Sequence, residues 1–291
     1  MLNEIGVQTL SGASSGMVLF LVASGLTLIF GTLRVANFAH GSFYMVAAYL
    51  AYTVTRQFAD QTMGFWVALL CAPLGVALLG AAMEFFLLRR IAGRAHQYQL
   101  ILTYAVTLIL ADLVKMVWGR NNYLVPRPEG MQGAAELFGT PFPTYYFLLV
   151  GVGLGVALGL HLMLTRSRFG KIVRASVADG EMVGALGVDV QRLNTAVFAL
   201  GAWLAGLGGV LAAPVGSISL GMDNAIIIES FAVVIIGGVG SVTGALLGAL
   251  LTGVVKSVGI LFAPKLAIVF VFLALCVVLV VRPQGLLGRA N

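Results

Sequence analysis

The sequence predicts an all-α polytopic integral membrane protein with about eight or nine transmembrane helices, some of them short or broken. Of its 291 residues, 60% are hydrophobic and only 10% are charged, whereas an ordinary soluble domain has roughly 25% charged residues. Apolar runs of the length that crosses a bilayer, roughly 20 residues, recur along the whole chain. These runs lack the alternation of a membrane β-barrel, so helices are expected to satisfy the backbone hydrogen bonds in lipid.

Nine apolar segments are candidates for membrane spans. The second and the seventh are shorter and carry polar residues at their edges, so a count of eight is also compatible with the sequence. We treat residues 1–291 as a single transmembrane domain, with an irregular external loop rich in Pro, Gly and Asn at 119–144. The nine segments are 12–30, 37–54, 65–88, 100–117, 145–164, 195–213, 227–239, 243–262 and 266–281.

Basic residues are concentrated in alternate loops, and this pattern predicts the orientation of the chain. Cytoplasmic loops of membrane proteins carry the excess of Lys and Arg. If the polar segment 165–194 is cytoplasmic, eleven basic residues lie inside and four outside, which predicts an outer N-terminus and an inner C-terminus. The net charge of +6 is explained by these loops, so nucleic-acid binding is not predicted. The inner set is Arg34, Arg89, Arg90, Arg94, Arg166, Arg168, Lys171, Arg174, Arg192, Arg282 and Arg289, and the outer set is Arg56, Arg120, Arg127 and Lys265.

The segment 165–194 has the signals of two short helices in water. Val173 and Val177 are four residues apart in the first, Asp179 can cap the start of the second, and Gly187 suits the position after its end. An amphipathic helical hairpin of this kind would be a docking surface, and a solvated loop that only joins two spans is the alternative. The candidate docking residues are Arg174, Asp179, Glu181, Met182, Leu186 and Gly187.

A polar break interrupts the apolar pattern at the start of the second predicted span. Asn37, His40 and Ser42 occur there together with Gly41. Polar groups at membrane depth are costly unless they face a cavity or a partner, so these residues would line a pathway at a discontinuous helix. The alternative is an ordinary helix start, with Asn37 as its cap and His40 satisfied at the interface.

A second break is rich in glycine and lies between the seventh and eighth predicted spans. Glycines that repeat every four residues lie on one helix face and favour close packing of a neighbouring helix, and 240–248, 151–159 and 201–209 all have this spacing of small residues. The alternative is a turning backbone that lines the pathway. The candidate residues for that pathway are Gly237, Gly238, Gly240 and Ser241.

Charged residues within the predicted spans are few. We expect Glu84 to extend towards Arg89 and Arg90, and Glu229 either to cap a helix or to meet a substrate amine. The chain has no Walker A motif, paired catalytic carboxylates or metal-ligand spacing, so no catalytic residue, bound metal or cofactor is predicted. If ATP powers transport, another subunit hydrolyses it.

Four blocks of the chain resemble the permease subunits of ATP-binding-cassette (ABC) importers for branched-chain amino acids. They keep their order and extend over most of the sequence. The blocks are GLTLIFGTLRVANFAHGSFYM (25–45), SRFGKIVRASVADGEMVGALGV (167–188), VIIGGVGSVTGALLGAL (234–250) and RPQGLLGR (282–289).

The resemblance implies a permease domain in a bacterial inner membrane that works with several partners. These are cytoplasmic ABC ATPase subunits that bind ATP and Mg²⁺, a second related permease and a periplasmic amino-acid-binding protein. It also implies that 165–194 is the coupling loop that docks on the ATPase, and that Asn37, His40 and Gly41 belong to the family's NFAHG block. Three alternatives remain open: a permease for urea or short-chain amides, an ion-coupled secondary amino acid carrier, and a membrane scaffold without transport.

Overall fold

The structure is a computed structural model that describes residues 2–137 and 139–288; Arg289, predicted to lie inside, is outside these ranges. The described residues are almost entirely helical, which confirms the all-α prediction. They form eleven α-helices, one β-hairpin and two short 3₁₀ turns at Leu88–Ile91 and Pro264–Leu266. The elements are α1 (Leu2–Leu33), α2 (His40–Gln57), α3 (Gln61–Phe86), α4 (His96–Trp118), β1 (Ala134–Leu137), β2 (Thr140–Pro143), α5 (Tyr145–Arg166), α6 (Arg168–Ala178), α7 (Gly180–Ala185), α8 (Val190–Ala212), α9 (Met222–Gly237), α10 (Val242–Phe262) and α11 (Ala267–Val281).

Helix α1 is central and packs closely against α10 through glycines. A Cβ atom at Gly12 would lie 2.7 Å from the backbone oxygen of Gly253, and one at Gly16 would lie 2.8 Å from the oxygen of Ala249. Separations this short leave no room for a side chain, so the two backbones are in contact. Because the contacts advance along α1 and go back along α10, the two helices are antiparallel.

Helix α8 packs against both α1 and α3 and lies in the core. A Cβ at Gly25 would lie 2.5 Å from the oxygen of Gly201, and one at Gly206 would lie 3.0 Å from the Cα of Pro73. This packing confirms the prediction for the small residues of 201–209. Most of α8 is buried, and it packs against α1 on one side and α3 on another.

Helix α2 begins deep within the bundle. The ring of His40, its first residue, donates a hydrogen bond of 2.9 Å from Nε2 to the carbonyl of Val22 in α1. Val22 is eleven residues before the end of α1, which is about 16 Å along the helix axis. The connection 34–39 therefore runs back along α1 before α2 starts. This part of the bundle is crossed by non-helical chain.

Seven helices are long and apolar enough to cross a membrane, and the chain is a membrane-spanning protein. These seven helices correspond to predicted spans, and the first is longer than predicted because α1 starts at Leu2. The other two predicted spans are α2 and α9, with 18 and 16 residues. They are the same two segments that the sequence marks as short and polar-edged.

The predicted irregular loop 119–144 contains regular structure. Strands β1 and β2 pair antiparallel, with Ala134 opposite Pro143 and Leu137 opposite Thr140. Tyr123 pairs with Ile218 in an isolated bridge, which ties the loop to the connection between α8 and α9. The expectation of a wholly irregular cap was therefore wrong, because short strands with proline and glycine around them resemble loop composition.

The glycine stripe of α5 is not packed as predicted. Within the described part of the chain, a Cβ at Gly151, Gly155 or Gly159 would meet no atom within 4 Å. Gly153, on the opposite face, is the glycine in contact, since its Cβ would lie 2.7 Å from the Cβ of Met17. Spacing identifies a shared helix face, but it does not identify the face that meets a neighbour.

Candidate functional site

The segment 167–189, which we call the basic hairpin, consists of α6 and α7. The Ser167 hydroxyl accepts a hydrogen bond of 3.0 Å from the backbone N–H of Gly170 at the start of α6. The Asp179 carboxylate accepts one of 2.9 Å from the N–H of Met182 at the start of α7. Gly187 follows α7 with a φ of 86°. The two short helices predicted from the sequence are therefore present, with Asp179 as the cap of the second.

Part of the basic hairpin faces away from the bundle with apolar side chains. Val173 and Val183 are buried against the protein, whereas Met182 and Leu186 are 57% and 77% exposed. Glu181 is exposed beside them. Large apolar side chains on an otherwise polar exposed segment are typical of a docking surface. Such a surface suits contact with another molecule better than it suits solvent.

Arg174 is turned towards the bundle rather than away from it. Its guanidinium donates a hydrogen bond to the carbonyl of Leu164, in the last turn of α5. A cation is favourable there because the carbonyls at a helix C-terminus carry partial negative charge. Helix α6 is also seated closely on α5, since Gly170 has the backbone of Met163 and Leu164 where its Cβ would be. Arg174 thus faces α5 and the cavity, while the residue remains exposed.

A cavity of about 1150 Å³ lies at the same end of the bundle as the basic hairpin. It is formed by α1, α5, α6 and α10, together with segment 283–288. Its polar lining includes Thr27, Thr32, Arg34, His161, Arg174 and Gln284, and its apolar lining includes Phe20, Leu28, Val173 and Leu246. The cavity therefore combines an apolar interior with a basic rim.

Two of the four residues of the predicted glycine-rich break line this cavity. Gly240 and Ser241 are at its wall, whereas Gly237 is packed against the backbone of Gly244. Gly238 has a φ of 98° and turns the chain out of α9. The Ser241 hydroxyl then accepts a hydrogen bond of 3.0 Å from the N–H of Gly244 and caps α10. The break is thus a tight turn between two packed helices, with one side open to the cavity.

The segment that follows α11 is held against the end of α9. The N–H of Leu286 donates to the carbonyl of Ile236 at 2.7 Å, and the N–H of Leu287 donates to that of Gly237 at 3.0 Å. The last carbonyls of a helix have no partner within the helix, so these bonds satisfy them. The segment forms part of the cavity wall and links the end of α11 to the break.

The residues of the first polar break lie in the buried core and not in the cavity. Asn37, His40, Gly41 and Ser42 are all buried. Ser42 donates a hydrogen bond of 3.4 Å to the carboxylate of Asp223 at the start of α9. Gly41 has the carbonyl of Asp223 where a Cβ would be. The break is therefore the contact between the first turns of α2 and α9.

Several polar atoms at this contact have no hydrogen-bond partner within the described residues. They are Nδ2 of Asn37, Nδ1 of His40, Oδ1 of Asp223 and Oγ of Ser230. Buried polar atoms usually have partners, and each one without a partner costs about 1–3 kcal/mol. This concentration makes the α2–α9 contact a polar centre inside an apolar bundle.

Glu84 extends to Arg89 as expected, and it does so in a buried position. Its side chain is 4% exposed and lies 3.7 Å from the guanidinium of Arg89. Thr195, in the second turn of α8, donates to Glu84 at 2.5 Å and accepts from Arg89 at 2.7 Å. The three side chains join the end of α3 to the start of α8, which directly follows the basic hairpin.

Glu229 neither caps α9 nor remains free. It lies in the middle of that helix, and its carboxylate is 2.5 Å from Nζ of Lys256 in α10. The two side chains are 13% and 37% exposed. Sequence reasoning missed this pair, since the partners are 27 positions apart and come together only when α9 and α10 pack against each other.

Sequence reasoning also missed Thr27 and did not assign Arg34 to a site. Thr27 lies on the cavity side of α1 with Phe20 and Gly31, and Arg34 lines the cavity directly after the end of that helix. The signal that could have found them is spacing, because positions seven apart lie on nearly the same helix face. Phe20, Thr27 and Arg34 have this spacing.

Comparisons with known proteins agree on one kind of protein. A family model described as branched-chain amino acid transport system, permease component, matches residues 8–281. The chain is 28% identical to the high-affinity branched-chain amino acid transport system permease protein BraD of Pseudomonas aeruginosa, covering 97% of this chain and 95% of that protein. It is 26% identical to LivH of Escherichia coli, with the same two coverages. It is also 26% identical to LivM of Escherichia coli, covering 96% of this chain and 70% of that protein.

Proposed function

Because this chain belongs to the family of branched-chain amino acid transport permease components, we propose that it is the membrane-spanning permease subunit of an ATP-driven importer for branched-chain, hydrophobic amino acids. It forms the translocation path and hydrolyses no ATP itself. ATP and Mg²⁺ bind to partner ATPase subunits on the cytoplasmic side. The family match extends over nearly all of the chain, which supports a role for the whole transmembrane domain and not for one part of it.

The importer contains partners of three kinds in this proposal. Two cytoplasmic ATPase subunits dock on the permeases, a second related permease completes the path, and a periplasmic binding protein delivers the amino acid. LivH and LivM of one organism are both similar to this chain over nearly its full length, and both are named as permease proteins of a branched-chain amino acid transport system. That supports a pair of related but different permeases.

The single observation that carries the mechanism is that the basic hairpin forms the docking surface with α7 and part of the cavity wall with α6. The basic hairpin exposes Met182 and Leu186 on its outer side, whereas Val173, Arg174 and Val177 of α6 line the cavity. A partner that moves the basic hairpin therefore changes the cavity wall. Nucleotide binding closes the ATPase pair, the hairpin moves with it, and the path is exposed to one membrane side at a time.

The basic hairpin and the cavity face the cytoplasm of a bacterial inner membrane in this proposal, with the N-terminus outside and the C-terminus inside. Arg34, Arg89 and Arg174 occur at this end of the bundle, whereas Arg127 contacts the carbonyl of Pro214 at the opposite end. The excess of basic residues at one end supports the assignment. The cavity is then the inner section of the translocation path.

The docking role of the basic hairpin is tested by Leu186→Glu in the reconstituted importer. Leu186 is 77% exposed, so the change does not disturb the fold. Losing an interface anchor worth about 2 kcal/mol weakens docking of the ATPase roughly thirtyfold. We expect ATP-driven uptake of leucine to fall accordingly and the ATPase to be lost during purification. Ala95→Glu, an exposed position at the start of α4, is the matched control and keeps both.

Other outcomes of this experiment favour other functions. Normal uptake by Leu186→Glu contradicts docking at the basic hairpin. Uptake of amino acids by this chain alone, driven by an ion gradient, indicates a secondary carrier. ATP-driven uptake of urea or short-chain amides in place of leucine keeps the ABC mechanism and changes the substrate. No flux under any condition indicates a membrane scaffold.

A further inference from the structure

One face of α1 changes in character along the cavity. Phe20 lies at the apolar end, Thr27 is about 10 Å further along the helix, and Arg34 follows the last turn. Gly31, between Thr27 and Arg34, has no side chain to fill the space. Leu246 of α10 adds to the apolar end and Arg174 of α6 to the basic end. A ligand in this cavity would meet carbon at one end and cations at the other.

Thr27 lies between the apolar end and the basic end of the cavity wall. The residue is 1% exposed, and its Oγ1 has no hydrogen-bond partner among the described residues. Thr32, on the same helix, instead bonds to the carbonyl of Leu28 at 2.9 Å. Because the Thr27 hydroxyl is closed off from the cavity space, a polar ligand there is left to the arginines at the basic end.

Arg34 has a backbone conformation that arginine rarely adopts. Its φ is 54°, and among the described residues it is the one non-glycine residue with a positive φ. Its N–H bonds to the carbonyl of Phe30 at 3.0 Å and ends α1. Glycine would take this conformation without strain. The retained side chain points to a function, and strained positions of this kind are concentrated at binding sites.

The charge of the cavity restricts the ligand. Arg34 and Arg174 both line it, and no Asp or Glu lines it in the part of the chain that the structure describes. The planar guanidinium group matches a carboxylate in shape and donates two parallel hydrogen bonds to it. A ligand with one carboxylate and an aliphatic part fits this lining, and an ammonium group has no fixed anion to meet.

We infer that Arg34 and Arg174 form a subsite for the α-carboxylate of the transported amino acid, whose aliphatic side chain lies towards Phe20 and Leu246. This inference rests on the proposed function, because the cavity is taken as the inner section of the path. Binding depends on the carboxylate and is indifferent to the amine. The subsite holds the amino acid through its anionic end before release to the cytoplasm.

Cysteine protection tests the subsite without relying on transport. Both cysteines, Cys71 and Cys276, are exposed and are replaced by alanine in the full importer. Thr32→Cys then places the reporter thiol in the cavity, and Ala95→Cys places a control thiol outside it. Open membrane fragments, in which both faces are accessible, are treated with a membrane-impermeant maleimide without nucleotide, and the rate of labelling is measured.

Three probes distinguish the groups that the subsite recognises. Leucine at about ten times its dissociation constant slows labelling of the reporter about tenfold, and 4-methyl-2-oxopentanoate, which lacks the amine, does the same. Leucinamide, which lacks the carboxylate, does not. Arg34→Gln and Arg174→Gln each weaken leucine binding roughly tenfold, because a charge-assisted hydrogen bond is lost, so the slowing at the same leucine concentration falls from about tenfold to about twofold. Labelling of the control thiol is unchanged throughout.

Equal protection by leucinamide and leucine would overturn the subsite, as would unchanged protection in both arginine variants. A reporter that is never labelled while the control is labelled contradicts an open cavity. If phosphatidylglycerol protects the reporter and leucine does not, the arginines bind a lipid headgroup instead. Wild-type uptake is measured in parallel: missing protection with intact ATP-driven uptake rejects the subsite alone, whereas missing uptake rejects the proposed function.

Discussion

Gly25→Ala tests whether backbone contact between α1 and α8 holds the bundle together. The new Cβ would lie 2.5 Å from the oxygen of Gly201, whereas ordinary contact begins at 3.4 Å, so the backbones must separate by up to 0.9 Å. Such overpacking costs about 1–3 kcal/mol. Alanine returns about 0.5–1 kcal/mol through its better helix propensity. We expect a net loss of about 1–2 kcal/mol in the free energy of unfolding.

The matched control is Gly155→Ala in α5. Among the described residues nothing lies within 4 Å of its Cβ position, so helix propensity alone acts there. The variant is expected to be more stable than the wild type by about 0.5–1 kcal/mol. Both are measured by reversible unfolding of the purified chain with sodium dodecyl sulfate in mixed micelles, with tryptophan fluorescence as the probe.

Two results would refute the packing argument. The first is a Gly25→Ala variant as stable as the wild type, since a displaced α8 has to lose contacts. The second is a Gly155→Ala variant destabilised as much as Gly25→Ala, because the cost would then arise from loss of glycine in general. Opposite shifts of the two variants support local packing, whereas equal destabilisation of both indicates an effect of losing glycine in general.

Three further predictions concern charges and caps. Glu84→Gln leaves Arg89 without its ion partner and is expected to lower the free energy of unfolding by about 1–3 kcal/mol, measured by the same titration. Lys256→Met leaves Glu229 unpaired between two helices; we expect a loss of about 1–2 kcal/mol, discounted for partial exposure, and recovery in a double variant that also carries Glu229→Leu. Asp179→Ala removes the cap of α7 at a cost of about 1 kcal/mol; hydrogen exchange should accelerate at 180–185 and stay unchanged in α8.

Local patterns predicted the elements whose signals lie within a few residues. The apolar runs located the seven long helices, and the cap at Asp179 and the glycine at Gly187 located α7 because capping is a contact between near neighbours. The glycine-rich break was given two interpretations, and the structure contains both: Gly237 packs on the backbone of Gly244, and the chain turns at Gly238 with Gly240 and Ser241 at the cavity wall. These predictions need no knowledge of which helices are adjacent.

Patterns could not assign partners across the bundle. Glu229 and Lys256 are 27 positions apart and meet through the packing of α9 on α10. The stripe of Gly151 and Gly155 looks like that of Gly201 and Gly209, yet only the second is packed. A spacing defines a helix face, but which neighbour covers that face depends on every other helix.

By itself, the sequence determined that this chain is a helical membrane protein with a polar hairpin between two spans, since hydropathy and capping act over a single element. Its blocks also determined the family. Only the tertiary structure decided that the first polar break is buried against Asp223 and lies outside the cavity. It alone placed Arg34 and Arg174 on the wall of one cavity, because residues so distant in the chain line the same space only after α6 packs against α5 and α1.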